Sequence, residues 1–140
     1  MRDIKTAEVG GKPCTIAKLD AATAFDVACI VAEWRGKMLA AAGDDGLKAE
    51  AAGVDNFAAT GRMLAQAARM LRDKEYRDLV WTRVLHGCTL GDEPVMGPDG
   101  RTPRDSHDLA DLYRLHLMSI DHSCGSFLAA LGVGALQGVS

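Results

Sequence analysis

The sequence predicts a mainly α domain: about four helices packed as a small bundle, with an N-terminal β-hairpin (α+β). Three observations carry this. Alanine and leucine recur throughout the chain while aromatic residues make up only 5% of it, a composition that favours helix packed on helix. Apolar residues return at helical spacing in several long segments. A Gly-Gly pair near the start is flanked by alternating residues of strand type. At 140 residues the chain fits one domain, long enough to bury roughly 65–70% of its unfolded surface without a metal or disulfide staple. The expected layout is a hairpin at 1–19, a helical body at 20–131 and a glycine-rich tail at 132–140.

The first element is "IKTAEVGGKPCTIAKL". Ile4, Thr6 and Glu8 alternate with Lys5, Ala7 and Val9, Gly10-Gly11 supplies the positive φ of a tight turn, and Cys14 and Ile16 share a face of the return strand. Pro13 cannot donate to a ladder, so that strand should have a free edge there.

Asp20 reads as an N-cap for the first helix, "AATAFDVACIVAEWRGKMLAAA". Val27, Val31, Trp34 and Met38 form one stripe, and Phe25, Cys29 and Ile30 are expected to widen it. "GDDGLKAEAAG", with Gly43, Gly46 and Gly53, is the expected internal loop. Asp55 would cap the second helix, with an inner face of Phe57, Gly61, Leu64, Ala68 and Leu71; Gly61 would allow close approach of a neighbouring helix.

Asp73 opens a third helix with Tyr76, Val80 and Val84 on one side, Trp81 and Leu85 nearby, and Gly87 as its left-handed terminator. "CTLGDEPVMGPDGRTPRD" reads as an exposed loop or small hairpin, the natural place for a partner to touch. The last helix starts near Asp105 or Ser106 and runs to about Leu131. Leu109, Tyr113, His116, Ile120, Cys124, Phe127 and Leu131 step along it by threes and fours.

Charge and motifs narrow the function classes. The net charge is −3 and the basic residues are scattered, without the stripe that nucleic acid needs, so no nucleic-acid partner is expected. No apolar run approaches the roughly 20 residues of a membrane span, and the start lacks the apolar region of a signal peptide. A cytoplasmic protein with no membrane partner is expected. Cys14, Cys29, Cys88 and Cys124 form no CxxC pair and read as small buried hydrophobes rather than bridges.

The stretch "LMSIDHSCGSFLAALG" concentrates polar letters in an apolar helix. At about 100° per residue, His122 points roughly 160° away from Cys124, so one helix cannot bring both to one metal. His116 lies roughly 12 Å along the axis from Cys124. No ligand pair among His86, Cys88, His107, His116 and His122 has zinc-type spacing. In "DSHD" the side chains of Asp105, Ser106 and His107 diverge at a helix start where a triad needs convergence. No glycine run forms a phosphate cradle. The expectation is a protein that is not an enzyme, with no catalytic residue, metal or cofactor.

The layout as a whole resembles a known family. A hairpin reading "VGGKPCTIAKL" leads into a helix opening "DAATAFDV"; then come "VLHGCTLGDEP", a polar loop and "HDLADLYRLHLMSIDHSCGSFLAALG". This order resembles the tail assembly chaperones of long-tailed bacteriophages, whose relatives often end in a denser aromatic segment than the lone Phe127 here. The resemblance implies binding of the tape measure protein, kept soluble in the cytoplasm of the bacterial host while tail tube protein polymerises around it. It also implies self-association as a homo-oligomer, departure before the virion is complete and, in many relatives, a longer frameshifted form that recruits tube protein. The apolar surface for such a partner is expected from Trp34, Met38, Met63, Met70, Phe127 and Leu131, since methionine adapts to varied partners. The rival reading is a small inhibitor or regulatory protein that binds a host complex.

Overall fold

The computed structural model describes residues 3–52 and 57–131, with side chains described at 3–41 and 61–131. The glycine-rich tail and the Asp55 cap lie outside the described residues. Strands β1 (Ile4–Val9) and β2 (Lys12–Ala17) form the expected hairpin. Gly10 and Gly11, at φ +58° and +77°, make the two-residue turn that the Val9–Lys12 pair closes. Helices α1 (Ala21–Ala52), α2 (Phe57–Arg72) and α5 (Leu109–Ala130) are long. Between α2 and α5 lies one bulged helix: α3 (Lys74–Tyr76), a π-turn (Arg77–Trp81) and α4 (Thr82–His86). The fold is mainly α with a small antiparallel sheet, as the sequence predicts. No described helix is long and apolar enough to cross a membrane.

The sheet is wider than the hairpin. β3 (Cys88–Leu90) and β4 (Glu93–Pro94) continue it in the order β1-β2-β3-β4. β2 is therefore an inner strand, and Pro13 is tolerated for a local reason. It follows the hydrogen-bonded closing pair by one position, so its nitrogen faces away from β1, beyond the last β2–β3 pair at Cys14–Leu90. Its carbonyl still accepts from Gly91 N–H at 2.8 Å. Of the segment expected as an exposed loop or small hairpin, the first part is a hairpin. Val95 and Met96 after it are buried, correcting the expected exposure.

Cys14, Ile16, Cys88 and Leu90 form the inner sheet face and pack with α1, the bulged helix and α5 into one core. On the outer face Thr15 and Thr89 share a hydroxyl hydrogen bond of 2.5 Å. In α1, Asp20 caps as expected, its carboxylate accepting from Thr23 N–H at 3.2 Å and Thr23 Oγ1 at 2.7 Å. Val27, Val31 and Trp34 are buried and Met38 is half-buried, but Phe25 and Cys29 are exposed and do not widen the stripe. α1 runs through the expected loop to Ala52. Leu47, Lys48, Ala49, Glu50, Ala51 and Ala52 are strong helix formers, and they outweigh Gly43 and Gly46 at about 1 kcal/mol each.

α2 packs along α1, with Arg62 Nε donating to Ala41 O at 2.6 Å. Its more buried apolar positions are Met63, Ala67, Met70 and Leu71. Of the predicted stripe, Leu71 packs against the core, Leu64 is 64% exposed, Gly61 and Ala68 face solvent, and the Phe57 side chain lies outside the described residues. Among the described residues nothing lies within 4 Å of a Cβ built at Gly61. Gly87, at φ −93°, is not left-handed; glycine serves there because a Cβ would meet the Ala17 side chain at 3.1 Å. α5 starts later than expected, with Asp108 rather than Asp105 or Ser106 at its N-cap position; Ser106 Oγ donates to Glu93 at 3.0 Å.

Gly10 also sets the distance between hairpin and bundle. A Cβ there would stand 2.5 Å from Oδ1 of Asp111, a nearly buried carboxylate that accepts from Arg114 at 3.2 Å. Gly10→Ala is expected to cost about 2–3 kcal/mol, combining left-handed strain with displacement of Asp111, against about 1 kcal/mol for Gly11→Ala. Among the described residues nothing lies within 4 Å of a Cβ at Gly11. Urea midpoints of the two variants check the difference.

Candidate functional site

An apolar cleft of about 310 Å³ opens where the N-terminal end of α1 meets the C-terminal half of α5. The link from β2 builds it. Lys18 N–H donates to Asp3 O at 2.8 Å and Leu19 N–H to Ser123 Oγ at 3.0 Å, so the chain is held across α5 before Asp20 starts α1. Cys124 Sγ donates to Ala24 O at 3.4 Å and fixes the floor. Leu19, Ala21 and Ala24 line one wall, and Phe25 and Phe127 stand at the mouth with ring centroids 5.9 Å apart. Phe25 is 57% exposed, Phe127 38% and Leu131 53%. Lys18 is the charged residue of the rim.

The chemistry available in this cleft is apolar contact. Burial pushes the Cys124 thiol up to about 11, which removes the thiolate that a nucleophile requires. Packing around the ring pair, by contrast, could take an aromatic or aliphatic side chain from one face of a helix.

The polar letters of α5 go elsewhere. His116 is fully buried, stacked among Trp81, Tyr113 and Tyr76 at ring centroid distances of 5.0, 5.6 and 5.7 Å. Its Nδ1 is 3.3 Å from Tyr113 O, an acceptor only, so Nδ1 carries the proton and Nε2 accepts from the Tyr76 hydroxyl at 2.5 Å. Burial lowers the His116 pKa to about 4, against a smaller opposing effect of the Tyr113 carbonyl, and raises that of Tyr76. Ser119 Oγ and Cys88 Sγ each donate to Val84 O at 3.1 Å. Burial pushes the Cys88 thiol up to about 11, Ser119 countering in part, and also raises Cys14. Tyr76, His116, Ser119 and Cys88 are sealed from solvent, so this cluster is structural polarity. His122 turns the other way, half-buried with Nε2 4.0 Å from Asp3 on the hairpin side. Among the described residues no three His, Cys, Asp or Glu side chains gather as a metal site requires.

Of the six residues expected to supply partner surface, Trp34 and Met70 belong to the core, with Lys37 Nζ 4.2 Å over the Trp34 ring. Met38 and Met63 are half-buried between helices. Phe127 and Leu131 are exposed, and Phe127 shares the cleft with Phe25, a residue expected to widen the core stripe. A signal for Phe25 existed: two residues from Val27, it lies roughly 160° round the helix from the buried face. Comparison of the chain with protein-family models, with curated proteins and with solved structures finds no match.

Proposed function

We propose that the protein is a tail assembly chaperone of a long-tailed bacteriophage. In this reading it binds the tape measure protein in the host cytoplasm through the Phe25–Phe127 cleft and keeps it soluble until tube protein displaces the chaperone. The observation that carries the reading is the placement of Phe25 and Phe127 in solvent at one apolar cleft, with Leu131, four residues after Phe127, also exposed, on a chain with only three phenylalanines. A helix offering apolar side chains at i, i+3 or i+4, and i+7 meets such a surface by burying both partners' apolar area. At about 25 cal/mol per Å², burying the two rings contributes a few kcal/mol. That suits a contact which must later be released. The order of elements described for the resemblance supports the same reading.

The test is co-expression with the tape measure protein of the genome that encodes this chain. The parent is expected to keep tape measure fragments soluble and to co-purify with them. Phe25→Ser/Phe127→Ser is expected to lose about tenfold or more of that binding, with a melting temperature near the parent's because both rings are already exposed. Tape measure protein that stays insoluble with the parent, or that binds the double variant equally well, rules the reading out.

A further inference from the structure

A second cleft, of about 530 Å³, lies between the bulged helix and the turn at 101–103 and shares no residue with the first. Arg72, Lys74, Arg77 and Arg101 surround it, facing a single carboxylate, Asp78. On a chain of net charge −3 this is a local reversal of sign. Among the described residues none of the four cations has a side-chain ion pair or hydrogen bond. Trp81, half-buried, and Pro103 add apolar surface.

The geometry points to a docking site for an acidic polypeptide segment of a partner, its carboxylates paired with these cations and an apolar side chain set against Trp81 and Pro103. This inference is independent of the reading proposed above. Charge complementarity is the first reason: four uncompensated cations in one cleft attract carboxylates.

The second reason separates carboxylates on a peptide from phosphate. A phosphate site uses converging backbone N–H groups, and three of those near the rim are occupied. Tyr76 N–H donates to Asp73 at 3.0 Å, while Arg101 N–H and Thr102 N–H both donate to Asp99 Oδ1 at 2.9 Å. The cationic groups lining the cleft are long side chains. They come from the end of α2, the bulged helix and the turn, which suits anions spaced along an extended chain. From Lys74 to Thr82 the wall runs about 12 Å, some four residues of extended peptide. The Asp78 carboxylate disfavours a compact polyanion, and the net charge disfavours a long nucleic acid.

The test uses a short peptide alternating glutamate and leucine, the same peptide with glutamine for glutamate, inorganic phosphate, ATP and a single-stranded oligonucleotide. Binding to the full chain is read by titration calorimetry and by Trp81 emission, with Trp81→Phe identifying the signal. The glutamate peptide is expected to bind at low salt and to weaken roughly tenfold or more as salt rises from about 50 to 500 mM. Arg77→Glu/Arg101→Glu should cost roughly tenfold or more. The milder Arg77→Gln/Arg101→Gln should fall between, with unchanged circular dichroism showing that both variants fold. Four results overturn the inference: equal binding of the glutamine peptide; preference for phosphate, ATP or the oligonucleotide; salt-sensitive self-association that the glutamate peptide does not compete; or binding unaffected by the charge reversal.

Discussion

Lowering the pH from about 7 to about 4 is expected to remove about 3 kcal/mol of folding stability through His116 alone. Its imidazole is held neutral, with a pKa of about 4 in the folded chain against 6.5 in the open one, because burial disfavours the cation. The sign follows from proton counts. Between those values the unfolded chain binds a proton that the folded chain refuses, so acid favours unfolding. The contribution is fully present above about pH 6.5, is lost as pH falls toward 4, and is flat below. His116→Gln keeps an acceptor for the Tyr76 hydroxyl and a donor for the Tyr113 carbonyl but cannot titrate. Urea midpoints across this window should fall less steeply for the variant than for the parent. Equal slopes would show that His116 does not carry the acid sensitivity.

The same cluster explains why α5 carries polar residues at all. A helix leaves its last carbonyls without partners, and α4 ends at His86, just past the buried Val84 and Leu85 and next to the inner strand β3. Val84 O is one of those carbonyls, and Ser119 from α5 and Cys88 from β3 both satisfy it. Leaving such a group unpaired costs about 1–3 kcal/mol. Tyr76 likewise buries its ring and needs one acceptor for its hydroxyl, which His116 supplies. A serine, a cysteine and a histidine that suggest chemistry in the sequence thus complete a buried helix end and a buried phenol. The residues free to meet other molecules are those that the core does not use: Phe25 and Phe127 at one cleft, and the four cations at the other.

Local signals were legible where they depend on near neighbours. Gly10-Gly11 between alternating residues marked the hairpin, Asp20 and Asp73 marked helix starts, and Val27, Val31 and Trp34 marked the buried face of α1. What was not legible depends on distant partners. The α2 pattern offered Leu64 and Leu71 as a stripe; Leu71 packs against the core, but Leu64 faces solvent while Met63, Ala67 and Met70 are the more buried positions. β3 has three residues, too few to stand out in the sequence, and it forms because β2 offers it an unpaired edge. The cationic cleft joins Arg72, Lys74 and Arg77 to Arg101 across a long stretch of chain. Basic residues that look scattered in sequence converge once the 101–103 turn folds back on the helix. For Phe25 the information was local and pointed outward; the breadth of the apolar pattern obscured it.

Inserting one alanine after Leu79 is expected to destabilise the protein by about 3–6 kcal/mol, because the π-turn, which sets the register of the bulged helix, already takes up one extra residue. Tyr76, Val80 and Val84 are spaced by four, and all three are buried. In regular α geometry each step of four overshoots by about 40°, so the face would drift by about 80° from Tyr76 to Val84. The wider turn, closed by Thr82 N–H to Arg77 O and reinforced by the Thr82 hydroxyl at 2.8 Å on the same carbonyl, absorbs that drift. One residue more than the bulge already takes up turns Val84 and Leu85 by about 100° relative to Tyr76. Both side chains are now fully buried, and exposing each costs about 1.5–3 kcal/mol. Val84 O would also leave Ser119 and Cys88 behind. Against a typical domain stability of about 5–15 kcal/mol, the insertion should bring the chain near the edge of cooperative folding. Leu79→Ala, which trims a half-buried side chain without changing the register, is the control and should cost far less. Thermal melts followed at the tryptophans separate the two. An insertion variant as stable as the parent would mean that the bulge does not hold Tyr76, Val80 and Val84 in line.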